Sequence, residues 1–167
     1  MFRLDNYMEE WATKCKRMLH SPMEPHFFRC NSEFTIDQFL QQYQDATYPV
    51  CGIVTHLEGI RNVERNIDSP LYKPLFAAYA DADDYQAQAD AKAINKENAD
   101  LFLAKLYHDK KKAEQTDRTS PLALLDLTSV RYDTIGPMTS KGWFVLVLTI
   151  ESKEYNRICY TPSDYIE

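Results

Sequence analysis

The stretch Trp143-Phe144-Val145-Leu146-Val147-Leu148-Thr149-Ile150 carries no charge and only one hydroxyl. Read as a strand, it sends Phe144, Leu146, Leu148 and Ile150 to one face and Trp143, Val145, Val147 and Thr149 to the other, so both faces call for a dry environment. Left exposed, an uncharged, β-prone run of this kind invites edge pairing and aggregation. Two arrangements protect it. Either helices cover both faces of its sheet, or a neighbouring subunit covers one, with Trp143, Val145 and Val147 as the oligomer interface.

Outward from this strand, the apolar run Leu122 to Ile135 precedes Gly136-Pro137-Met138-Thr139-Ser140-Lys141, and the spacing predicts an antiparallel hairpin with an extended tip. Glycine permits positive φ there and proline fixes the following residue, which shapes the tip. Gly136, Pro137, Met138 and Lys141 also make it a candidate docking loop. Beyond the hairpin, the polar segment Tyr155 to Tyr165 offers Tyr155, Tyr160 and Tyr165 as candidate anchors to a partner, since tyrosine gives contact area at low entropy cost.

Upstream, Tyr85 to Lys112 is rich in Ala, Gln, Lys and Glu, with Ala91, Ile94, Leu101, Phe102 and Leu106 predicted to share a face, so a long helix is expected. Asp81, Asp83 and Asp84 stand at its positive end and Lys110, Lys111 and Lys112 at its negative end. Leu71 to Ala80 reads as a short strand, because Pro74 limits it to an edge or to Leu75 onward. Tyr48 to Val54 reads as a strand leading into a long charged loop from His56 to Asp68. Thr35 is the predicted cap of a short helix carrying Phe39, Leu40 and Tyr43, and Pro25 to Cys30 is a brief aromatic strand. The N-terminal pattern of Leu4, Met8, Trp11, Cys15 and Met18 predicts an amphipathic helix ending near His20, before Ser21-Pro22 and Glu24-Pro25. The fold class is α+β: a mostly antiparallel sheet, an amphipathic N-terminal helix, one long Ala-rich helix and a C-terminal β-hairpin, in a single domain spanning 1–167.

Eleven Tyr, eight Phe and two Trp against four Gly in 167 residues exclude a disordered or fibrous class. The N-terminus has no uninterrupted apolar stretch, so neither a signal peptide nor a membrane anchor is expected. Cys15, Cys30, Cys51 and Cys159 form no close pair and read as separate thiols. Net charge is −6 and the only basic cluster is Lys110-Lys111-Lys112, which disfavours tight binding to a nucleic-acid backbone.

Each chemical constellation has a plainer competitor. Cys15, His20, His26 and Cys30 offer the two sulfurs and two imidazoles that zinc accepts, but without the tight knuckle of structural sites, so no metal or other cofactor is expected. Asp81, Asp83, Asp84 and Asp90 lack the order of a calcium loop and read as an acidic turn capping the long helix. Cys51 with His56 lacks an orienting acid or oxyanion hole nearby, and Glu58, Glu64, Asp68 and Asp126 have no spacing that pairs them. No catalytic residue is expected.

The order of elements, together with Phe27-Phe28-Arg29-Cys30 through Phe39-Leu40, Asp68-Ser69-Pro70-Leu71, Asp126-Leu127-Thr128-Ser129-Val130-Arg131-Tyr132 with Ile135-Gly136-Pro137, Gly142-Trp143 and the ending Tyr160-Thr161-Pro162-Ser163-Asp164-Tyr165, resembles the tail-terminator and tail-completion (neck) proteins of tailed bacteriophages and prophages, particularly a Bacteroides-type group. The resemblance implies a non-enzymatic structural protein that forms a ring, often hexameric, at the end of the tail tube or at the head-tail connector. Its partners would be other copies of itself and neighbouring neck or tail-tube proteins, with DNA passing through unheld. It would reside in the bacterial cytoplasm during assembly and then in the virion. A small cytosolic binding or adaptor domain is the alternative, and a metal-binding enzyme a more distant one.

Overall fold

The computed structural model describes residues 3–43, 48–62, 64–65, 67–81, 83–139 and 142–155, with side chains for all of these except 56–58, 154 and 155. Among them are helices α1 (Leu4–Lys14), α2 (Ile36–Leu40) and α3 (Tyr85–Thr116), and strands β1 (Phe27–Cys30), β2 (Val50–Asn62), β3 (Ile67–Tyr79), β4 (Leu125–Met138), β5 (Trp143–Ser152) and β6 (Glu154–Tyr155). All six strands form one sheet of order β1-β2-β3-β5-β4, with β6 added to β3. Only β1 and β2 run parallel; every other pairing is antiparallel. The fold is α+β, with the long helix and C-terminal hairpin expected of the sequence. No described helix is long and apolar enough to cross a membrane.

The two faces of β5 are both covered from within the chain. Leu146, Leu148 and Ile150 pack with Leu4, Met8, Trp11, Ala12, Phe102 and Leu106 of α1 and α3. Trp143, Val145 and Val147 pack on the opposite face with Phe28, Cys30, Ile36 and Leu40 from β1 and α2. Trp143 is 1% exposed, Val145 0% and Val147 5%. These three residues are therefore core, which corrects the expectation that they form an oligomer interface. Burying an aliphatic or aromatic side chain contributes about 1.5–3 kcal/mol.

Several elements differ from their expected bounds. α1 stops at Lys14, and Cys15 takes an extended conformation. Met18 keeps its helical spacing in the sequence but is buried through a turn in which the Leu19 and Met18 amides donate to the Cys15 carbonyl. Thr35 gives no side-chain cap to α2; its Oγ1 instead accepts from the Ser32 N–H at 3.3 Å, one turn earlier. α3 runs to Thr116, so Lys110 to Lys112 lie short of its end. Asp84 caps it, accepting from the Gln86 and Ala87 amides at 2.9 and 3.0 Å. Ile94 and Leu101 point outward, and their expected places on the buried face are taken by Asn95 and Asn98. The Asn95 Nδ2 donates to the Phe144 carbonyl at 2.7 Å, tying α3 to β5.

The largest departure is the segment from His56 to Asp68. It is not a long loop: β2 continues to Asn62 and β3 starts at Ile67. Nor is β3 short or at an edge, since it runs for 13 residues between β2 and β5, through Pro70 and Pro74. Its ladder to β5 accommodates Pro74 by an interruption: pairs form at Tyr72↔Ile150 and again at Leu75↔Val147, with none at Lys73 or Pro74.

Candidate assembly surface

Among the described residues β1 and β4 are the two margins of the sheet, each paired on one side only, and β2 is also paired on one side only beyond the end of β1. β1 ends opposite Val54, so beyond that point β2 has β3 on one side and no described strand on the other. Glu58 to Asn62, paired with Leu71 to Ile67, thus form a two-stranded arm, which β6 joins through Ile67↔Tyr155 and Asp68↔Glu154. A register shift between Val54 and Glu58 sets the arm off from the main sheet. Gly59 allows the strands to close after it, because a Cβ there would lie 2.6 Å from the Ser69 carbonyl oxygen. Arg61 sits opposite Asp68 and forms an ion pair with it across the ladder. Ile60 is 73% exposed.

The second open edge is β4, at the margin of the sheet. Its pairing with β5 breaks between Asp126 and Arg131, where Leu127 to Val130 bulge, and again between Ile135 and Met138. Asp126 Oδ1 holds the first bulge by accepting from the Thr128 N–H and Oγ1 at 2.9 and 2.6 Å. The Thr128 hydroxyl, with its amide, keeps the Asp126 carboxyl below its ordinary range. Between the bulges, Arg131 to Ile135 form a straight five-residue ladder with β5 on the inner side only, among the described residues. Asp133 Oδ1 accepts the Thr134 N–H at 2.8 Å, so this amide is occupied by its neighbour's carboxylate rather than by a strand. Tyr132 is 68% exposed beside it.

Gly136, Pro137 and Met138 belong to β4 itself, since Met138 pairs with Trp143; the turn proper begins at Thr139. The docking loop is therefore shorter than expected, and Lys141 lies outside the described residues. Gly136 adopts φ +146, and a Cβ on it would meet the Trp143 carbonyl at 2.9 Å. Of the candidate tail anchors, Tyr160 and Tyr165 lie outside the described residues, as does the side chain of Tyr155.

The zinc quartet is not assembled. Cys15 packs on the α1/α3 side of the sheet and Cys30 on the α2 side, its Sγ 3.7 Å from the Ile53 carbonyl. His26 stacks on Tyr48 at 3.9 Å, and its amide donates to His20 Nδ1. Among the described residues no group of three His, Cys, Asp or Glu is placed to hold a metal ion. Burial pushes the Cys30 thiol up to about 12 and raises Cys51 further still, which makes both poor nucleophiles. The side chain of His56 lies outside the description. Asp83 and Asp90 serve local contacts: the Asp83 N–H donates to Asp81 Oδ1 and Asp90 accepts from Gln86.

A groove of about 310 Å³ runs between α1 and α3 over Tyr7, Trp11, Cys15 and Leu101. The polar groups around it are engaged with one another, Tyr7 Oη donating to Asp109 at 2.8 Å, with Lys105 on Asp109 and Lys14 on Glu10.

The open edges were invisible to motif reading, because they consist of backbone rather than of distinctive side chains. Comparison with known proteins gives no matching family model, no matching curated protein and no matching solved structure.

Proposed function

We propose that the chain is a structural, self-assembling subunit without enzymatic activity, and that its assembly is the ring of a phage neck, at the end of the tail tube or at the head-tail connector, as the resemblance of its sequence implies. The observation that carries this reading is that, among the described residues, β2 in the arm and β4 at the sheet margin are paired on one side only, on a chain whose hydrophobic core is already buried. A chain with no need of a neighbour for its core, but with exposed strand edges bearing Ile60 and Tyr132, is suited to joining others by strand addition. The net charge of −6 suits a channel through which DNA passes without sticking.

Size-exclusion chromatography with light scattering, across a wide concentration range, tests the proposal. A mass of several 19.5 kDa chains, with closed rings in electron micrographs, is the expected result; a strict monomer at high concentration would overturn it. The groove between α1 and α3 favours the second reading, a binding or adaptor domain, for which saturable uptake of a small apolar probe by a monomer would be the signature.

A further inference from the structure

We infer that the arm of one copy, through Glu58 to Asn62 of β2, adds as a strand to the Arg131–Ile135 edge of β4 in the next copy. This deepens the assembly reading and rests on it. Topology excludes pairing within one chain: β2 and β4 are separated by β3 and β5, so the unpaired side of the arm and that of β4 can meet only between copies. Their lengths match, since the arm ladder runs over Glu58 to Asn62 and the straight part of β4 over Arg131 to Ile135. Backbone pairing requires donors and acceptors on both sides and open space beside them, and the bulges flanking Arg131 to Ile135 bound such a window.

Side-chain chemistry agrees. A register that sets Arg61 beside Asp133 places Ile60 and Tyr132 on a common face, whichever way the strands run, because side chains alternate with a period of two. Ile60 and Tyr132 are 73% and 68% exposed in the single chain and would cover each other. The guanidinium of Arg61, which holds Asp68 within its own chain, would be shared with Asp133 of the next copy, and the Thr134 N–H that Asp133 holds within the chain would be released to the added strand. The contact joins two different patches, so it is head-to-tail and closes into a ring when the rotation permits.

Mixing separates this from other modes of assembly. Ile60→Asp breaks the arm and Tyr132→Asp breaks the edge, both at exposed positions. Each variant alone should be monomeric, while an equimolar mixture should give a species of two chains and no larger, because the intact edge of the first accepts the intact arm of the second. Should Ile60→Asp lower the folded fraction by circular dichroism, Arg61→Glu serves as the arm lesion. Either variant assembling like the wild type, or a mixture that stays monomeric, overturns the inference while leaving the assembly reading standing. A wild-type chain that is itself monomeric overturns both.

Discussion

β4 and β5 are partners in one hairpin, yet nearly every residue of β5 is buried while most of β4 between Thr128 and Pro137 is exposed. Composition and position in the sheet go together here: β5 is an almost unbroken run of aliphatic, aromatic and β-branched residues, and β4 carries two Asp, a Gly and a Pro. β5 lies between β3 and β4, with α1 and α3 on one face and α2 on the other, whereas β4 is the last strand. The charges follow that difference: Arg131 and Asp133 lie on β4, and the Trp143 to Ile150 core of β5 has none. A buried strand is specified by its side chains, and an edge strand keeps its backbone available while bulges and charges limit what pairs with it.

The largest expected effect is Val147→Asp, which buries an unpaired charge directly across from Asp133. It should lose about 4 kcal/mol or more in denaturant unfolding, enough to leave little folded protein; near-wild-type stability would break the contrast between the strands. Phe102→Ala removes the ring that meets Trp11 edge-on and Phe76 at a tilt above the sheet, at centroid distances of 5.3 and 5.9 Å. A loss of about 3 kcal/mol or more is expected by the same measurement.

α3, the strongest periodic pattern, and the C-terminal hairpin were legible because each buries a face at its own period. The arm was not. Its residues from Gly59 to Asn62 are exposed on both faces, so no dry side imposes alternation, and its charges read as a loop. Pro74 bars a ladder bond and so predicts a short β3, yet a gap of two residues in the pairing with β5 absorbs that loss. On α3, Asn95 hid on the buried face because its amide serves the Phe144 carbonyl, a partner that no local pattern reveals. Of the zinc quartet, Cys15 and Cys30 lie on opposite sides of the sheet, a separation that spacing along the chain does not reveal. The proposed assembly surface has no side-chain signature in the sequence beyond Ile60 and Tyr132.

Smaller effects sharpen the comparison. Asp84→Ala removes the cap of the helix that covers β5 and should cost about 1 kcal/mol, read as a lower thermal midpoint. Arg29 joins β1 to α1 through Asp5 and Glu9 at 3.0 and 2.7 Å. Its hydrogen bond holds the Glu9 carboxyl below the ordinary range; at Asp5 burial opposes, but hydrogen bonds from Arg3 and Arg29 prevail and lower it. Carboxylates depressed in the folded state stabilise it above their unfolded pKa and lose that contribution as pH falls, so Arg29→Gln should flatten the decline in stability between about pH 5 and pH 2. An unchanged acid profile would remove these pairs from the account. Smallest of all, Asp133→Asn keeps an oxygen for the Thr134 amide and should alter monomer stability by no more than about 0.5 kcal/mol in denaturant unfolding, in contrast to the charge introduced at Val147 opposite it.

Hydrogen exchange followed as chain concentration rises tests the central claim most directly. Amides of β5 should be slow throughout, while those of Arg131 to Ile135 on the open side of β4 should exchange quickly in dilute monomer and become protected as the mass grows beyond one chain. Assembly that proceeds with exchange in β4 unchanged would contradict the account.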